Sequence, residues 1–306
     1  MLNIKTVSKN FEAVKALNEI SLEINKGEFF GLLGPNGAGK STLMNIIVGY
    51  LKADSGEVRL NNKIVAFEDL SMRNIIGYVP QEISLYLELT AMQNLKIFGG
   101  LFNLPKDILK KRIDSVLELV QLNDRKSEPV KNFSGGMKRR LNIAASLLHD
   151  PEIILCDEPT AGVDPQSRNA IFEMLQKLNS EGKTIIYTTH YMEEAERLCS
   201  RLAIIDNGKI IALGRLPELI NLLNKKTTFK IEKNVNTSGF LVQLKEIGDV
   251  IENDFSFELV PAGRYDSNSK VFARLEEMGI NNDFVEVTRA SLEDVFLSLT
   301  GRSLRD

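Results

Sequence analysis

Residues 34–42 read GPNGAGKST, a glycine-rich string closed by a lysine and two hydroxyls, the residue set that a chain of phosphates requires. A triphosphate concentrates negative charge, so its receptor must bring many backbone N–H groups close, and glycine-rich backbone with free φ permits that approach. Gly34, Pro35, Asn36, Gly37, Ala38 and Gly39 supply the cradle; Lys40 neutralises the β- and γ-phosphates, and of the two hydroxyls, Ser41 and Thr42, Ser41 is placed on Mg²⁺. A helix beginning at Lys40 aims the positive end of its dipole at the same anions. A second chemical set lies at 152–158, EIILCDE, an apolar strand ending in two adjacent carboxylates. On a buried parallel strand Asp157 and Glu158 emerge at the carboxyl end, where α/β sheets bind ligands. Asp157 suits a Mg²⁺ ion held through its water shell; Glu158, pointing the other way, suits polarising an attacking water as general base. The chemistry implied is hydrolysis of ATP with Mg²⁺.

These groups need a scaffold, and the residue pattern supplies one. Residues 2–33 alternate apolar and polar in LNIKTV, ALNEISLEIN and EFFGLLG, which predicts strands delivering the chain to the glycine-rich loop. The helix from Lys40 ends near Val48 at Gly49, and GEVRL and NIIGYVP predict further strands. Residues 83–150 read as largely helical, after which apolar strands (EIILC, TIIYTT, RLAIIDN, KIIAL) alternate with amphipathic helices. That alternation predicts a mostly parallel sheet covered on both faces. From 226 the order strand, helix, strand pair across Asn253 and Asp254, helix, strand predicts a small ferredoxin-like α+β unit. Ser291 and Asp294 form a capping-box pattern opening a last helix, with Val295, Phe296 and Leu299 on its apolar side. The expected domains are 1–225 and 226–306.

Composition excludes several classes. A net charge of −3 gives no footprint of a general nucleic-acid binder. Cys156 and Cys199, the two cysteines, form no CxxC pair and read as buried apolar residues of a reducing compartment. No stretch approaches the roughly 18 apolar residues of a spanning helix, and MLNIKTVSKN has no signal-peptide core, so a membrane role must come through a partner. Lys106, Lys110, Lys111 and Arg112, like Lys138, Arg139 and Arg140, read as solvated charge, and His149 as a cap or a solvent-facing group.

Taken in order, these strings resemble the ATP-binding subunit of an ABC transporter over roughly residues 1–220. FSGGM at 133–137 resembles the family's LSGGQ signature, with Phe133 for Leu and Met137 for Gln, and keeps Ser134, Gly135 and Gly136. Physically it is a second phosphate grip at a helix start. The resemblance implies an ABC-type P-loop NTPase with a parallel core, an antiparallel β subdomain and a helical subdomain. It also implies a head-to-tail dimer, a second copy or a related ATPase, in which the loop of one chain meets the signature of the other. Gln81 resembles the Q-loop glutamine that reaches Mg²⁺ and the attacking water. His190 in TTHYMEEAE resembles the switch histidine, and Phe11 the aromatic that stacks on adenine. Ala161 to Asp164 resembles the D-loop, with Ala161 departing from the usual serine. SGGMKRRL and the ending RASLEDVFLSLTGR resemble the bacterial drug-, lipid- and polysaccharide-efflux branch. An exporter ATPase seated on a separate transmembrane permease at the cytoplasmic face of the membrane follows, with no nucleic-acid partner expected. A soluble ABC-type ATPase acting on nucleic acid or ribosomes, and an ATP-sensing regulator, stay open as alternatives.

Overall fold

The alternating apolar residues at the start of the chain form a hairpin, β1 (Leu2–Phe11) with β2 (Val14–Ile24), in which Leu2 faces Ile24 and Phe11 faces Val14. The computed structural model describes residues 1–67, 70–223, 227–233, 237, 239–265, 267–288 and 290–301. After the hairpin come β3 (Phe29–Leu33), α1 (Lys40–Ile47), β4 (Ser55–Leu60), β5 (Lys63–Ile64) and β6 (Ile76–Val79). Three helices follow, α2 (Ala91–Leu101), α3 (Lys106–Leu119) and α4 (Gly135–Ser146). The alternating stretch is then β7 (Ile153–Asp157), α5 (Pro165–Ser180), β8 (Thr184–Thr189), α6 (Met192–Leu198), β9 (Arg201–Asp206) and β10 (Lys209–Gly214).

Two sheets result. An antiparallel sheet of order β2-β1-β4-β5 stands beside a six-stranded sheet of order β10-β9-β3-β8-β7-β6, which is parallel except for the β10 edge. All five residues of β7 are buried, as a parallel strand covered on both faces requires. Its alternation divides two cores: Ile154 and Cys156 pack with the α2–α4 helices, whereas Ile153 and Leu155 pack with α1 and the antiparallel sheet. Each such side chain contributes roughly 1.5–3 kcal/mol by burial, which holds the strand end bearing Asp157 rigid. Helix α2 is started by a reciprocal cap, Thr90 Oγ1 accepting from Gln93 N at 3.1 Å and Gln93 Oε1 from Thr90 N at 2.9 Å.

The chain divides into two compact units, Met1–Leu216 and Pro217–Gly301, where the sequence pattern set the change at 225–226. Residues 224–226 themselves lie outside the described residues. A helix that the sequence pattern does not disclose, α7 (Leu216–Asn221), begins at the boundary residue, and the second unit continues as β11 (Thr228–Glu232), α8 (Leu241–Lys245), β12 (Gly248–Glu252), β13 (Ser256–Pro261), α9 (Asn268–Glu277), β14 (Val285–Thr288) and α10 (Leu292–Thr300). Its sheet has the order β12-β13-β11-β14 and is antiparallel throughout, around Phe229, Ile231, Phe257, Leu259, Val271 and Leu275. The Ser291–Asp294 capping box forms, but the apolar side of α10 is Leu292, Val295 and Phe296. Leu299 is 43% exposed, because it falls in the last turn before the left-handed Gly301.

Candidate active site

The glycine-rich loop joins β3 to α1, and Gly39 is a residue its geometry cannot replace. Its φ is +108°, and a Cβ there would stand 2.5 Å from the Ala16 carbonyl oxygen. Gly39 also begins α1 without any side-chain cap, so the first N–H groups of the helix are left to an anion. Asn36, Gly37, Gly39, Lys40, Ser41 and Thr42 line a cavity of about 440 Å³, joined by Gln81 and Glu158 and by Val14 to Ala16 of the hairpin.

Glu158 is the point of convergence. Lys40, 4% exposed, places Nζ 3.1 Å from Glu158 Oε1 while donating to the Gly34 carbonyl at 2.7 Å and the Pro35 carbonyl at 3.1 Å. Gln81 Nε2 donates to Glu158 Oε2 at 3.4 Å, and His190 Nδ1 lies 3.2 Å from the same oxygen. Glu158 itself has φ +45°, a left-handed conformation costly for a residue with a Cβ and common where a site over-determines its backbone. Its N–H is held by Thr188 Oγ1 at 2.9 Å, and the same hydroxyl lies 2.7 Å from Asp157 Oδ1. Burial and the Asp157 charge keep the Tyr78 phenol protonated well above its ordinary range, a donor to Asn45 Oδ1 at 3.3 Å.

Ser41, Gln81 and Asp157 border one groove of about 830 Å³ next to the cavity, so a hydroxyl, an amide and a carboxylate, all hard oxygen donors, face a common space. That donor set fits Mg²⁺, which takes few protein ligands and shares its shell with phosphate and water.

Five expected residues lie outside this cluster. Ser134, Gly135 and Gly136 open α4 and are not among the residues lining the phosphate cavity of their own chain. Ser134 Oγ accepts from Met137 N at 3.2 Å, and Gly135 faces open space. Gly136 is a packing glycine: a Cβ would meet Ser167 Oγ at 2.1 Å, so α4 and α5 touch through it. Asp164 caps α5, accepting from Ser167 N at 2.9 Å, and these hydrogen bonds hold its carboxyl below the ordinary range. Phe11 is 46% exposed at the tip of the hairpin, with Lys9 Nζ 5.5 Å over its ring; the hairpin residues lining the cavity are Val14, Lys15 and Ala16.

Of the two charge runs that the sequence reads as solvated, the structure corrects Arg112, Arg139 and Arg140. Arg139 is 3% exposed and its guanidinium bridges two carbonyls, Pro80 O at 2.9 Å and Glu158 O at 3.1 Å; burial pulls it below its ordinary pKa. Helical period gave the signal: Gly136, Asn142 and Ile143, three and four residues away, share that buried face. Arg140 donates to Val120 O at 2.7 Å, and Arg112 to Leu147 O at 2.7 Å and Leu148 O at 3.1 Å. Only Lys106, Lys110 and Lys111 remain an exposed face. His149 is no solvent-facing cap: it stacks on Phe102 with centroids 3.8 Å apart and its Nε2 sits 3.0 Å from the Ile76 carbonyl.

A parallel sheet with a glycine-rich loop at its carboxyl edge, a buried carboxylate facing that loop's lysine, and a second glycine-rich helix start define an ATP-hydrolysing P-loop cassette. The sequence model of the ABC transporter family matches residues 17–161. The chain is 41% identical to the linearmycin resistance ATP-binding protein LnrL of Bacillus subtilis (strain 168), with all of both chains covered. It is 36% identical to a Nod factor export ATP-binding protein I of Cupriavidus pinatubonensis, covering 92% of that protein, and 34% identical to the daunorubicin resistance ATP-binding protein DrrA3 of Streptomyces coeruleorubidus, covering 97%. Among solved structures it resembles a dimeric ATP-binding cassette bound to ADP and Pi (TM-score 0.64, 30% identity, 70% of this chain and 98% of that one). It also resembles a nucleotide-free cassette of an ABC transporter (TM-score 0.67, 30% identity, 74% and 95%). The chain belongs to the ABC transporter family as an ATP-binding, ATP-hydrolysing cassette.

Proposed function

We propose that this chain is the motor subunit of an exporter, working as a head-to-tail dimer on a separate transmembrane permease. The observation that carries the catalytic part is the convergence of Lys40, Gln81 and His190 on Glu158 within 3.4 Å. When a triphosphate enters the loop its oxygens compete for Lys40, and the Glu158 carboxylate is released to take the proton of an attacking water. His190 steadies that water and the γ-phosphate, and Gln81 reads the occupancy of the site. Asp157, fixed by Thr188, and Ser41 and Gln81 would hold Mg²⁺, which when bound neutralises charge on the phosphates. Ser134, Gly135 and the start of α4 do not line their own loop's cavity, which supports their serving the ATP of the other chain. Phe11, on the exposed hairpin tip, stacks on the adenine.

The groove of about 830 Å³ supports a seat for the permease, since Tyr50, Phe98, Leu101 and Phe102 line it beside Arg73 and Glu82. No helix among the described residues is long and apolar enough to cross a membrane, and attachment through such a permease puts the cassette at the cytoplasmic face. The strand order β12-β13-β11-β14 supports a ferredoxin-like accessory unit, whose role would be to modulate dimer closure or docking. The test is co-expression with candidate permeases: retention of this chain at the membrane and stimulation of its ATPase by one of them is expected. Turnover stimulated by DNA or RNA and by no permease would overturn the exporter reading.

A further inference from the structure

Glu194 on α6 is 3% exposed, and its carboxylate ties three segments together. Thr160 Oγ1, two residues beyond Glu158, donates to Oε1 at 2.8 Å. Thr189 Oγ1, the residue before His190, donates to Oε2 at 2.9 Å and accepts from Tyr191 N at 2.9 Å, pinning the turn on which His190 stands. Tyr187 OH donates to Oε2 at 2.8 Å from inside β8. On the other side Arg168 Nε lies 3.7 Å from Oε1, Arg168 Nη2 donates to Val163 O at 3.4 Å, and its guanidinium sits 5.5 Å from the ring of Tyr191. That ring in turn lies 4.1 Å from the ring of His190.

A buried carboxylate is an expensive way to fill space, and an apolar side chain would serve packing better. Three hydroxyls donate to this one carboxyl group; a glutamine amide keeps one acceptor oxygen and sets an NH2 where the other stood, so Thr160 and Tyr187, 3.0 Å apart and able to exchange donor and acceptor roles, must reorient to satisfy it. We propose that Glu194 is a positioning residue for ATP hydrolysis: it fixes the His190 turn against the strand end bearing Glu158, and through Arg168 ties both to the Ala161–Asp164 loop. This inference rests on Glu158 and His190 acting as base and switch. The loop reached by Arg168 is the one that the head-to-tail dimer brings to the interface, so dimer closure would register at His190 through Glu194.

The experiment compares Glu194→Gln with Glu158→Gln and His190→Ala in steady-state ATPase assays, with ATP affinity and thermal midpoint measured on each variant. Glu194→Gln is isosteric and is expected to lower kcat about tenfold or more, as misplacement of a reacting group does. KM for ATP and the thermal midpoint stay close to those of the parent. Tyr187→Phe, which removes one donor, gives a smaller loss of kcat in the same sense and covers the case in which Glu194→Gln fails to fold. Unchanged kcat in Glu194→Gln overturns the proposal, and so does a loss of kcat that tracks loss of the thermal midpoint. If Glu158→Gln and His190→Ala keep full turnover, the fault lies in the assignment of the site.

Discussion

Replacing Arg139 by Met tests whether the signature helix is wired to its own chain's catalytic strand. The parent guanidinium makes two charge-assisted hydrogen bonds, to Pro80 O and Glu158 O, from a position 3% exposed. Such bonds are worth about 1.5–3 kcal/mol each. Against them stands the desolvation of the cation, visible as its lowered pKa, and the packing that Met regains. The net loss of stability should be about 2–4 kcal/mol, or roughly 5–15 °C in thermal midpoint for a unit of this size. Pro80 precedes Gln81 and the second carbonyl belongs to Glu158, so slackening of about 1 Å at either costs up to about a hundredfold in kcat. Arg139→Lys carries the charge without the planar fork and should fall between parent and Met variant. Thermal melts and ATPase kinetics on the three proteins decide the matter. A Met variant that melts within about 1 °C of the parent and keeps its kcat would mean that Arg139 does not hold α4 to the strand bearing Glu158.

Gly136→Ala drives a methyl into Ser167 Oγ at 2.1 Å and should cost about 1–3 kcal/mol by prising α4 from α5, read as a lowered denaturation midpoint; Gly135→Ala, facing open space, should not. Gly39→Ala, at φ +108° and 2.5 Å from Ala16 O, should abolish ATP binding in a titration while leaving the second unit folded. Burial pulls the His149 imidazole down despite its bond to Ile76, so the folded chain declines a proton that the unfolded chain takes up. Stability is therefore fully present above the ordinary imidazole pKa near 6.5 and falls as the pH drops through it, by at most about 1.4 kcal/mol per pH unit. Denaturant midpoints across that range should show the slope in the parent and lose it in His149→Gln.

What the sequence disclosed follows from how local each signal is. GPNGAGKST and EIILCDE are legible because one short string carries both the strand and the chemistry at its end. The mostly parallel character of the sheet was legible in outline, since EIILC and TIIYTT are each followed by an amphipathic helix. Arg139, Arg112 and His149 were misread because their partners lie 59, 35 and 73 residues away, and a charged residue discloses its buried carbonyl only in the folded chain. Glu194 lay hidden in the run Met-Glu-Glu-Ala-Glu, where nothing in composition tells which carboxylate turns inward. Gly136 sits inside a phosphate-grip motif, and its packing against Ser167 reflects a contact between two helices that no single string contains.

The central claim is that each ATP site takes its lysine from one chain and its signature serine from the other. Two inactive variants, Lys40→Ala and Ser134→Arg, test it when mixed and allowed to exchange subunits. In the mixed dimer both defects fall on one site and leave the other whole, so the mixture should hydrolyse ATP although neither variant does alone. A mixture that exchanges subunits and stays as inactive as its components would contradict the account.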